Sequence, residues 1–214
     1  IILLLFAMLV FDVKIQGNHT IERLYAHYMP APFLSLLIDD CIANGRDYHD
    51  GGARYNTSYI QGVGLGSITD ALAAIKVHVF DAQPMFAAEY APFATALDCD
   101  PAQAGMEPVT MDELLDALAH DFAGYERLRQ RLLNRTPRYG NDDDYADAVM
   151  RAVFEAYFRA IDGRPNTRGG AYHIDLLPTT CHVYFGSVTG ATPDGRRAWT
   201  PLSEGISPVQ GADR

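Results

Sequence analysis

The chain has 214 residues and is 48% apolar, so it can bury a sizeable core as one domain or as a large piece of a bigger one. Its formal net charge of -10, from 27 acidic and 17 basic residues, argues against nucleic-acid binding, because phosphate contacts need clustered Lys and Arg. The cysteines, Cys41, Cys99 and Cys181, show no Cys-x-x-Cys spacing. This argues against a disulfide framework or a zinc site and is typical of a reducing cytoplasm.

The first predicted element is a long helix that begins in the apolar run 1–11. The run is too short to span a bilayer, and it lacks the basic start and the small-residue cleavage site of a secretory signal. Helical spacing of apolar residues continues from Leu4 to about Tyr28, just before two prolines. We therefore predict a buried helix and, because no initiator Met precedes the run, we expect residue 1 to be a cut end.

A short helix, a strand and a third helix are predicted next. Residues 33–43 form a mostly apolar helix that an Asn-Gly pair closes. Residues 54–64 are rich in β-forming side chains and end in glycines, which predicts a strand that passes into a tight turn. A helix capped by Ser67 or Thr69 then runs to about Phe80.

The second half of the chain is predicted to hold two longer helices and one strand region. Residues 82–109 are rich in proline and alanine and are predicted to be an insertion or a long loop. Helical patterns follow over residues 110–134 and 145–161. Residues 171–185 are the last predicted strand region, interrupted by a proline.

The glycines of residues 62–66 stand between a predicted strand and a predicted helix, as in a dinucleotide-binding turn. Ser67 occupies the place of the third glycine of that fingerprint, and no acidic residue follows a second strand at the required distance. A tight turn that packs the helix on the strand is therefore the favoured interpretation.

Metal and nucleophile chemistry has little support in the sequence. The seven histidines are scattered along the chain, so no metal site is predicted. The serines do not lie in the Gly-x-Ser-x-Gly elbow of a hydrolase. Cys181 falls in the last predicted strand, where a cysteine is more often a small buried apolar residue than a reactive thiol.

Residues 177–214 form a long run of specified turns, in which two loops rich in Gly, Ser and Pro follow an apolar segment. Such a run indicates the wall of a site. Two of its segments, 182–186 and 190–197, belong with three earlier ones, 18–23, 51–64 and 137–144. Together these five segments resemble the glycyl radical enzymes of the pyruvate formate-lyase superfamily, and their dehydratase branch in particular.

The resemblance implies an α/β fold that is part of a ten-stranded α/β barrel with its helices outside, and a homodimer for the full-length protein. It implies that residues 1–214 are an internal fragment of the pyruvate formate-lyase domain, with an insertion at about 82–109, and that the glycyl radical domain is absent. The implied partner is a radical S-adenosylmethionine activating enzyme, which installs the glycyl radical. No bound cofactor is expected in the fragment.

In enzymes of this kind the glycyl radical makes a thiyl radical on a cysteine, and the thiyl takes hydrogen from the substrate. In the dehydratases, a Glu two residues past the cysteine assists the loss of water, since acid and base groups lower the barrier to expelling a hydroxyl. The Gly-Cys-x-Glu and Arg-Val-x-Gly-Tyr segments are not found in this sequence. The catalytic residues are therefore expected outside it, Cys181 does not replace them, and the fragment alone is expected to be inactive.

The resemblance assigns substrate binding to this chain. Thr179 matches the family's pattern best, through its hydroxyl, and Leu176 and Tyr172 come next. Strand alternation places Tyr172 and Leu176 on one face of the predicted strand. Pro178 can interrupt this alternation, so that Thr179 also faces the substrate. The alternative is that Thr179 and Thr180 only satisfy the strand backbone.

The implied activity is that of a cytoplasmic lyase of anaerobic metabolism, which removes water from a small hydroxylated substrate such as trans-4-hydroxy-L-proline. Two alternatives remain open. One is another enzyme of the superfamily, a formate C-acetyltransferase or a glycerol dehydratase. The other is a non-catalytic barrel fragment that serves as a spare part or scaffold.

Overall fold

The computed structural model describes residues 2–81 and 107–212, with side chains from residue 10 onward. Most of the predicted insertion at 82–109 lies outside the described residues. A 3-10 turn at Tyr48–Asp50 and a π-helical stretch at Lys76–Asp81 accompany the main elements. In chain order these are α1 (Ile2–Tyr28), α2 (Pro32–Leu37), α3 (Cys41–Asn44), β1 (Ser58–Gln61), α4 (Leu65–Ile75), α5 (Met111–Ala119), α6 (Glu126–Arg135), α7 (Asp144–Ile161), β2 (Tyr172–Asp175) and α8 (Cys181–Ser187).

The two strands are parallel, with Ser58 opposite Tyr172 and Gln61 opposite Asp175. Parallel strands cannot be joined by a tight turn, and the chain between these two contains helices α4 to α7. The described part of the chain therefore has an α/β fold. Within it, no helix combines the length and the apolar character needed to cross a lipid bilayer.

The chain divides into two compact units, residues 1–61 with 155–175 and residues 62–154 with 176–214. The first unit contains the strand pair. There the Tyr157 hydroxyl of α7 donates a hydrogen bond to the Ile60 carbonyl of β1 at 2.5 Å. Tyr157 is itself buried, so the helix is hydrogen-bonded to the strand away from solvent.

The second unit has an apolar core built from α4, its π-helical extension, α5 and α6. Phe122, between α5 and α6, is fully buried in this core although its backbone φ is +61°. Its N–H donates to the Ala117 carbonyl at 2.7 Å, which closes the end of α5. The side chains of the core are Ala74, Val79, Val109, Leu114, Ala117, Phe122, Leu128 and Leu132.

Two predicted helices are interrupted in the structure. The helix over residues 110–134 is broken between α5 and α6, because Asp121 and Phe122 adopt left-handed backbone and turn Phe122 into the core. The helix over residues 33–43 is divided into α2 and α3 at Asp40, whose φ is +74°. The predictions of continuous helices are wrong in both places, whereas α1 and α7 confirm theirs as helices. The burial predicted for α1 is wrong over residues 10–28, where Ile15 is the one buried side chain, and the side chains of residues 1–9 lie outside the described residues.

The predicted turn at residues 62–66 is confirmed, but the predicted helix cap is wrong. Gly64, with a φ of +83°, precedes the first residue of α4 in the capping position that the sequence analysis gave to Ser67 or Thr69. A left-handed φ favours glycine because a Cβ would be strained there.

The strand predicted over residues 171–185 ends at Asp175, and its second half is wrong. Residues Cys181–Ser187 form helix α8. Pro178 has no N–H for a strand ladder, and the Thr179 hydroxyl accepts the Cys181 N–H at 3.4 Å, which favours a turn into the helix. Cys181 is therefore an exposed helical residue and not a buried strand residue.

Residues 200–208 lack regular structure but lie against two helices at positions where only glycine fits. A Cβ on Gly66 of α4 would lie 2.5 Å from the Ser207 carbonyl oxygen. A Cβ on Gly186 of α8 would lie 2.3 Å from the Thr200 carbonyl oxygen. The segment is thus in direct backbone contact with both helices.

Two buried serines hold the same segment to α4. The Ser67 N–H donates to the Ser203 hydroxyl oxygen at 3.0 Å, and the Ser203 N–H donates to the Ser67 hydroxyl oxygen at 2.8 Å. This reciprocal pair satisfies two backbone donors that would otherwise be buried without partners.

A buried carboxylate joins α4 to two irregular connections. Asp70 accepts hydrogen bonds from Arg138 Nη1 at 3.2 Å and from the Tyr139 N–H at 2.9 Å. Arg138 also donates to the Asp194 carbonyl at 2.7 Å. Burial raises the pKa of Asp70 to about 6, against the opposing effects of the Tyr139 N–H and the Arg138 charge.

We expect Arg138→Met to lower the free energy of unfolding by about 3 kcal/mol or more at about pH 8, because it leaves the Asp70 carboxylate buried without its counter-ion. The folded state of the parent protein binds an extra proton at Asp70, so its stability falls as pH rises from about 4 to about 6. Without Arg138 this pKa rises further, and the fall continues above about pH 6. Urea unfolding at about pH 5 and about pH 8 measures the trend.

The matched control is Arg159→Met. Arg159 pairs with Glu155 at 2.7 Å on the surface of α7, and its side chain is 77% exposed. Losing this pair is expected to change stability by less than about 1 kcal/mol, without the same pH trend. Equal effects of the two substitutions would contradict the role of the buried pair.

We expect Gly186→Ala to destabilise the protein by about 2 kcal/mol or more, because the backbone of residues 200–208 would have to shift to admit the methyl group. Gly17→Ala in α1 is the control, since no described heavy atom lies within 4 Å of a Cβ there. Removing a helix-interior glycine is expected to raise stability by about 0.5–1 kcal/mol. In thermal unfolding, the melting temperature should fall for Gly186→Ala and rise for Gly17→Ala.

Candidate functional site

Residues 176–180 join β2 to α8 and include Leu176 and Thr179, two of the side chains that the sequence analysis assigns to substrate contact. Both are half-buried and belong to the second unit. The Thr179 hydroxyl oxygen accepts the Cys181 N–H, so the side chain of Thr179 is tied to the start of α8. The segment itself contains neither strand nor helix.

His182 binds the backbone of Thr179. The imidazole Nδ1 lies 2.6 Å from the Thr179 carbonyl oxygen, and His182 is buried. A carbonyl only accepts hydrogen bonds, so Nδ1 carries the hydrogen and donates it. The Leu202 N–H in turn donates to the His182 carbonyl at 3.2 Å, which holds the backbone of α8 to residues 200–208.

Glu204 stands on the other side of the same imidazole. Its Oε1 lies 3.7 Å from His182 Nε2 and accepts a hydrogen bond from Gln210 Nε2 at 3.1 Å. Both carboxylate and imidazole are shielded, with side-chain exposures of 30% and 8%. The ring is therefore held between the Thr179 carbonyl and a carboxylate.

Gly205 packs against the beginning of the 176–180 segment. Its φ is +36°, and a Cβ on it would lie 2.3 Å from the Leu176 carbonyl oxygen. Its own carbonyl accepts the Leu65 N–H of α4 at 3.3 Å. Gly205 thus packs directly on the segment, and Glu204 lies beside the imidazole that binds the Thr179 carbonyl.

Tyr172, the third assigned side chain, belongs to the first unit. It is fully buried, and its hydroxyl lies 3.3 Å from Glu22 Oε1. Burial, together with the negative charge of Glu22, raises the pKa of Tyr172 to about 12, so its hydroxyl stays protonated and donates. The strand ends before Leu176, so the predicted alternation of Tyr172 and Leu176 along one strand does not reach Leu176.

Glu22 of α1 gathers several donors in the first unit. Ser58 donates to it at 2.5 Å, and the backbone and hydroxyl of Thr167 donate at 3.0 and 2.7 Å. Burial alone would raise the pKa of Glu22, but these hydrogen bonds outweigh it and hold the pKa below its ordinary value. The carboxylate thus joins α1 to β1 and to the loop before β2.

The paired arginines of the Pro-Asp-Gly-Arg turn hold loops together. Arg196 donates to the Thr200 carbonyl at 2.6 Å and also to the Gly190 carbonyl. Arg197 Nη1 donates to the Asp121 carbonyl at 2.9 Å. The two side chains thus brace the loops on either side of the turn.

A cavity of about 490 Å³ lies beside this turn in the second unit. Four arginines contribute to its lining, and Thr179 and Leu176 do not. The arginines are Arg129, Arg138, Arg196 and Arg197. Because the guanidinium groups of all four donate to protein acceptors, the cavity is a braced junction of loops.

Metal ligands are not clustered in the described ranges 2–81 and 107–212, where no group of three or more His, Cys, Asp or Glu could hold an ion. His173, for example, pairs with the single carboxylate of Asp162 at 2.7 Å. Among the described histidines, His19 and His182 bind backbone carbonyls and His78 binds the Thr136 hydroxyl.

His182 and Glu204 are site residues that the sequence analysis missed. The signal available was weak: His182 follows Thr179 by one helical turn and opens α8, whereas Glu204 is distant in sequence. Their pairing depends on the glycine contacts of residues 200–208, which only the structure shows.

Comparison with known proteins assigns the chain to a protein family. The pattern of the family described as Pyruvate formate lyase-like matches residues 7–100 and 106–186. The chain is 49% identical, over 202 residues, to trans-4-hydroxy-L-proline dehydratase of Clostridioides difficile; the match covers 94% of this chain and 23% of that relative. The chain thus spans less than a quarter of the length of this curated relative.

Solved structures agree with this assignment. Hydroxyproline dehydratase from Clostridioides difficile, with trans-4-hydroxy-L-proline bound, is similar at a TM-score of 0.81 and 48% identity, over 96% of this chain and 23% of that one. The B12-independent glycerol dehydratase from Clostridium butyricum, with glycerol bound, also has a TM-score of 0.81, at 36% identity and the same coverage. The chain belongs to the pyruvate formate lyase-like family.

Proposed function

We propose that the chain is an internal piece of a glycyl radical dehydratase, a C–O lyase that removes water from a small hydroxylated substrate such as trans-4-hydroxy-L-proline. The observation that carries the proposal is the 49% identity to a relative named for that activity, over 94% of this chain. The solved structure named as a glycerol dehydratase is less similar in sequence, at 36% identity. This difference favours hydroxyproline over glycerol as the substrate.

The proposed architecture is a ten-stranded α/β barrel with helices outside, of which β1 and β2 are two strands, and a homodimer in the full-length protein. The parallel pairing of β1 with β2 and the helices between them support it. Residues 1–214 then belong to the pyruvate formate-lyase domain, residues 82–109 are an insertion, and the glycyl radical domain lies outside the chain. The proposed location is the cytoplasm.

The proposed chemistry needs groups that this chain does not supply. A radical S-adenosylmethionine activating enzyme installs a radical on a glycine, which makes a thiyl radical on a cysteine. The thiyl takes a hydrogen atom from the substrate, and a Glu assists departure of the neighbouring hydroxyl as water. Cys181 is exposed at the start of α8 and is not proposed as that cysteine.

This chain contributes part of the substrate-binding wall in the proposal. Thr179 is the leading contact, because its half-buried side chain lies in an irregular segment held by His182 and Gly205. Leu176, half-buried in the same segment, adds apolar surface. Tyr172 takes third place, because its buried hydroxyl is already hydrogen-bonded to Glu22.

Glycerol dehydration is the second candidate function, favoured by the TM-score of 0.81 to the glycerol-bound structure. Formate C-acetyltransfer and a non-catalytic spare-part role complete the alternatives. The sequence on either side of this segment in the gene separates them. A Gly-Cys-x-Glu loop upstream and an Arg-Val-x-Gly-Tyr segment downstream would support a glycyl radical dehydratase. Stop codons flanking the 214-residue segment would support the spare part.

The deciding experiment is an anaerobic assay of the full-length, activated protein with trans-4-hydroxy-L-proline, glycerol and pyruvate in competition. We expect preferred dehydration of hydroxyproline, and no turnover by the 214-residue chain alone. Turnover of glycerol or pyruvate in preference to hydroxyproline would replace the proposed substrate.

We expect Thr179→Ala in the full-length enzyme to lower kcat/KM for hydroxyproline by about 10-fold, mainly through a higher KM, because a hydrogen bond to bound substrate is lost. Thr180→Ala is the control, since Thr180 is the exposed neighbour and its side chain does not cap α8 in the described structure. Steady-state kinetics of both variants, with melting temperatures, test the assignment. Equal kinetics of Thr179→Ala and the parent enzyme would remove Thr179 from the site.

A further inference from the structure

We propose that His182 is a positioning residue, which holds Thr179 in place for the substrate and is itself supported by Glu204. The inference rests on the proposed function, in which Thr179 contacts the substrate. It adds a residue whose role is neither substrate contact nor chemistry. The contact that carries it is the 2.6 Å hydrogen bond from His182 Nδ1 to the Thr179 carbonyl oxygen.

The 176–180 segment needs such a support. It lies between the end of β2 and the start of α8 and contains neither strand nor helix, and the Val183 N–H of α8 donates to the carbonyl of its last residue, Thr180, at 3.1 Å. A displacement of about 1 Å in a substrate-contacting group can reduce an enzyme's rate by as much as about 100-fold. A buried donor bonded to the Thr179 carbonyl limits that displacement at the residue concerned.

The imidazole can act as a support because it is held on several sides. Nδ1 donates to Thr179, Nε2 faces Glu204 Oε1 at 3.7 Å, and the His182 carbonyl accepts the Leu202 N–H at 3.2 Å. With only 8% of its side chain exposed, the ring has little room for another rotamer. Two irregular segments, distant in sequence, are thereby joined through one side chain.

Glu204 links this support to the packing of the unit. The next residue, Gly205, touches the Leu176 backbone and accepts the Leu65 N–H, so the carboxylate projects from a backbone that α4 holds. Gln210 donates to the same carboxylate oxygen at 3.1 Å and helps to orient it. Glu204 is therefore held near α4 and lies beside the imidazole that binds the Thr179 carbonyl.

The experiment compares three substitutions of His182 in the full-length, activated enzyme, assayed anaerobically with trans-4-hydroxy-L-proline. His182→Asn keeps an amide N–H near the position of Nδ1, His182→Gln places it near Nε2, and His182→Leu removes both. We expect kcat/KM to fall about 10-fold in the Leu and Gln variants, mainly through KM, and to stay within about 3-fold in the Asn variant. Rescue by Asn but not by Gln separates support of Thr179 from general packing, which both amides fill.

A double-mutant cycle tests whether His182 acts through Thr179. If it does, His182→Leu combined with Thr179→Ala is no worse than Thr179→Ala alone, because the positioned hydroxyl is already gone. Multiplicative losses would overturn the proposal. So would unchanged kinetics of His182→Leu in an enzyme that Thr179→Ala impairs.

The control is His120→Leu, at the exposed residue that follows α5, which is expected to leave KM and kcat unchanged. Melting temperatures identify any variant that fails to fold, and the Asn and Gln pair then carries the comparison. The outcomes also separate the two levels of inference. No turnover of hydroxyproline, or no effect of Thr179→Ala, overturns the proposed function; an effect of Thr179→Ala without one of His182→Leu overturns only the positioning role.

Discussion

The second unit depends on the direct contact between the backbone of residues 200–208 and the glycines of two helices. At Gly66 and Gly186 a methyl group would lie within 2.5 Å of a carbonyl oxygen, so side-chain packing is replaced there by backbone packing. The reciprocal Ser67 and Ser203 hydrogen bonds then satisfy the buried amides. Once this segment is placed, Glu204 and Gly205 are placed with it, beside the proposed substrate wall.

Buried polar groups hold the irregular connections of the same unit. Asp70 binds the backbone and the arginine that follow α6, at a pKa raised by burial to about 6. His78 lies 3.0 Å from the Thr136 hydroxyl, and burial together with the Arg131 charge lowers its pKa to about 4, so it is neutral at pH 7. Since each group binds a residue just beyond a helix end, the helices set where the loops lie. Such arrangements are sensitive to loss of either partner, because the remaining group stays buried.

Long, strongly periodic helices such as α1 and α7 were predictable, because many residues agree on one pattern. The Cys181–Ser187 helix was not predictable, because its valine, tyrosine and phenylalanine favour a strand. The turn at Pro178 and Thr179 ends the strand and starts a helix instead. The break before α6 was also not predictable from the sequence pattern. Burial of the Phe122 side chain offsets the cost of its left-handed backbone conformation. The proposed site could be predicted only in part: family resemblance predicts Thr179, whereas His182 and Glu204 meet through glycine contacts that leave no pattern in the sequence.

The glycine contacts also decide where natural variation and laboratory evolution can act on the substrate wall. Lengthening or shortening residues 200–208 would move Glu204 and Gly205 away from the helices that seat them. Changes of loop length are a common route to new enzyme specificities. In residues 200–208 such changes are expected to disrupt the packing on the two helices. Substrate specificity is more readily changed by replacing individual side chains on an unchanged backbone, beginning with Thr179 and Leu176. A library directed at a new hydroxylated substrate should randomise those two positions and leave the glycines untouched.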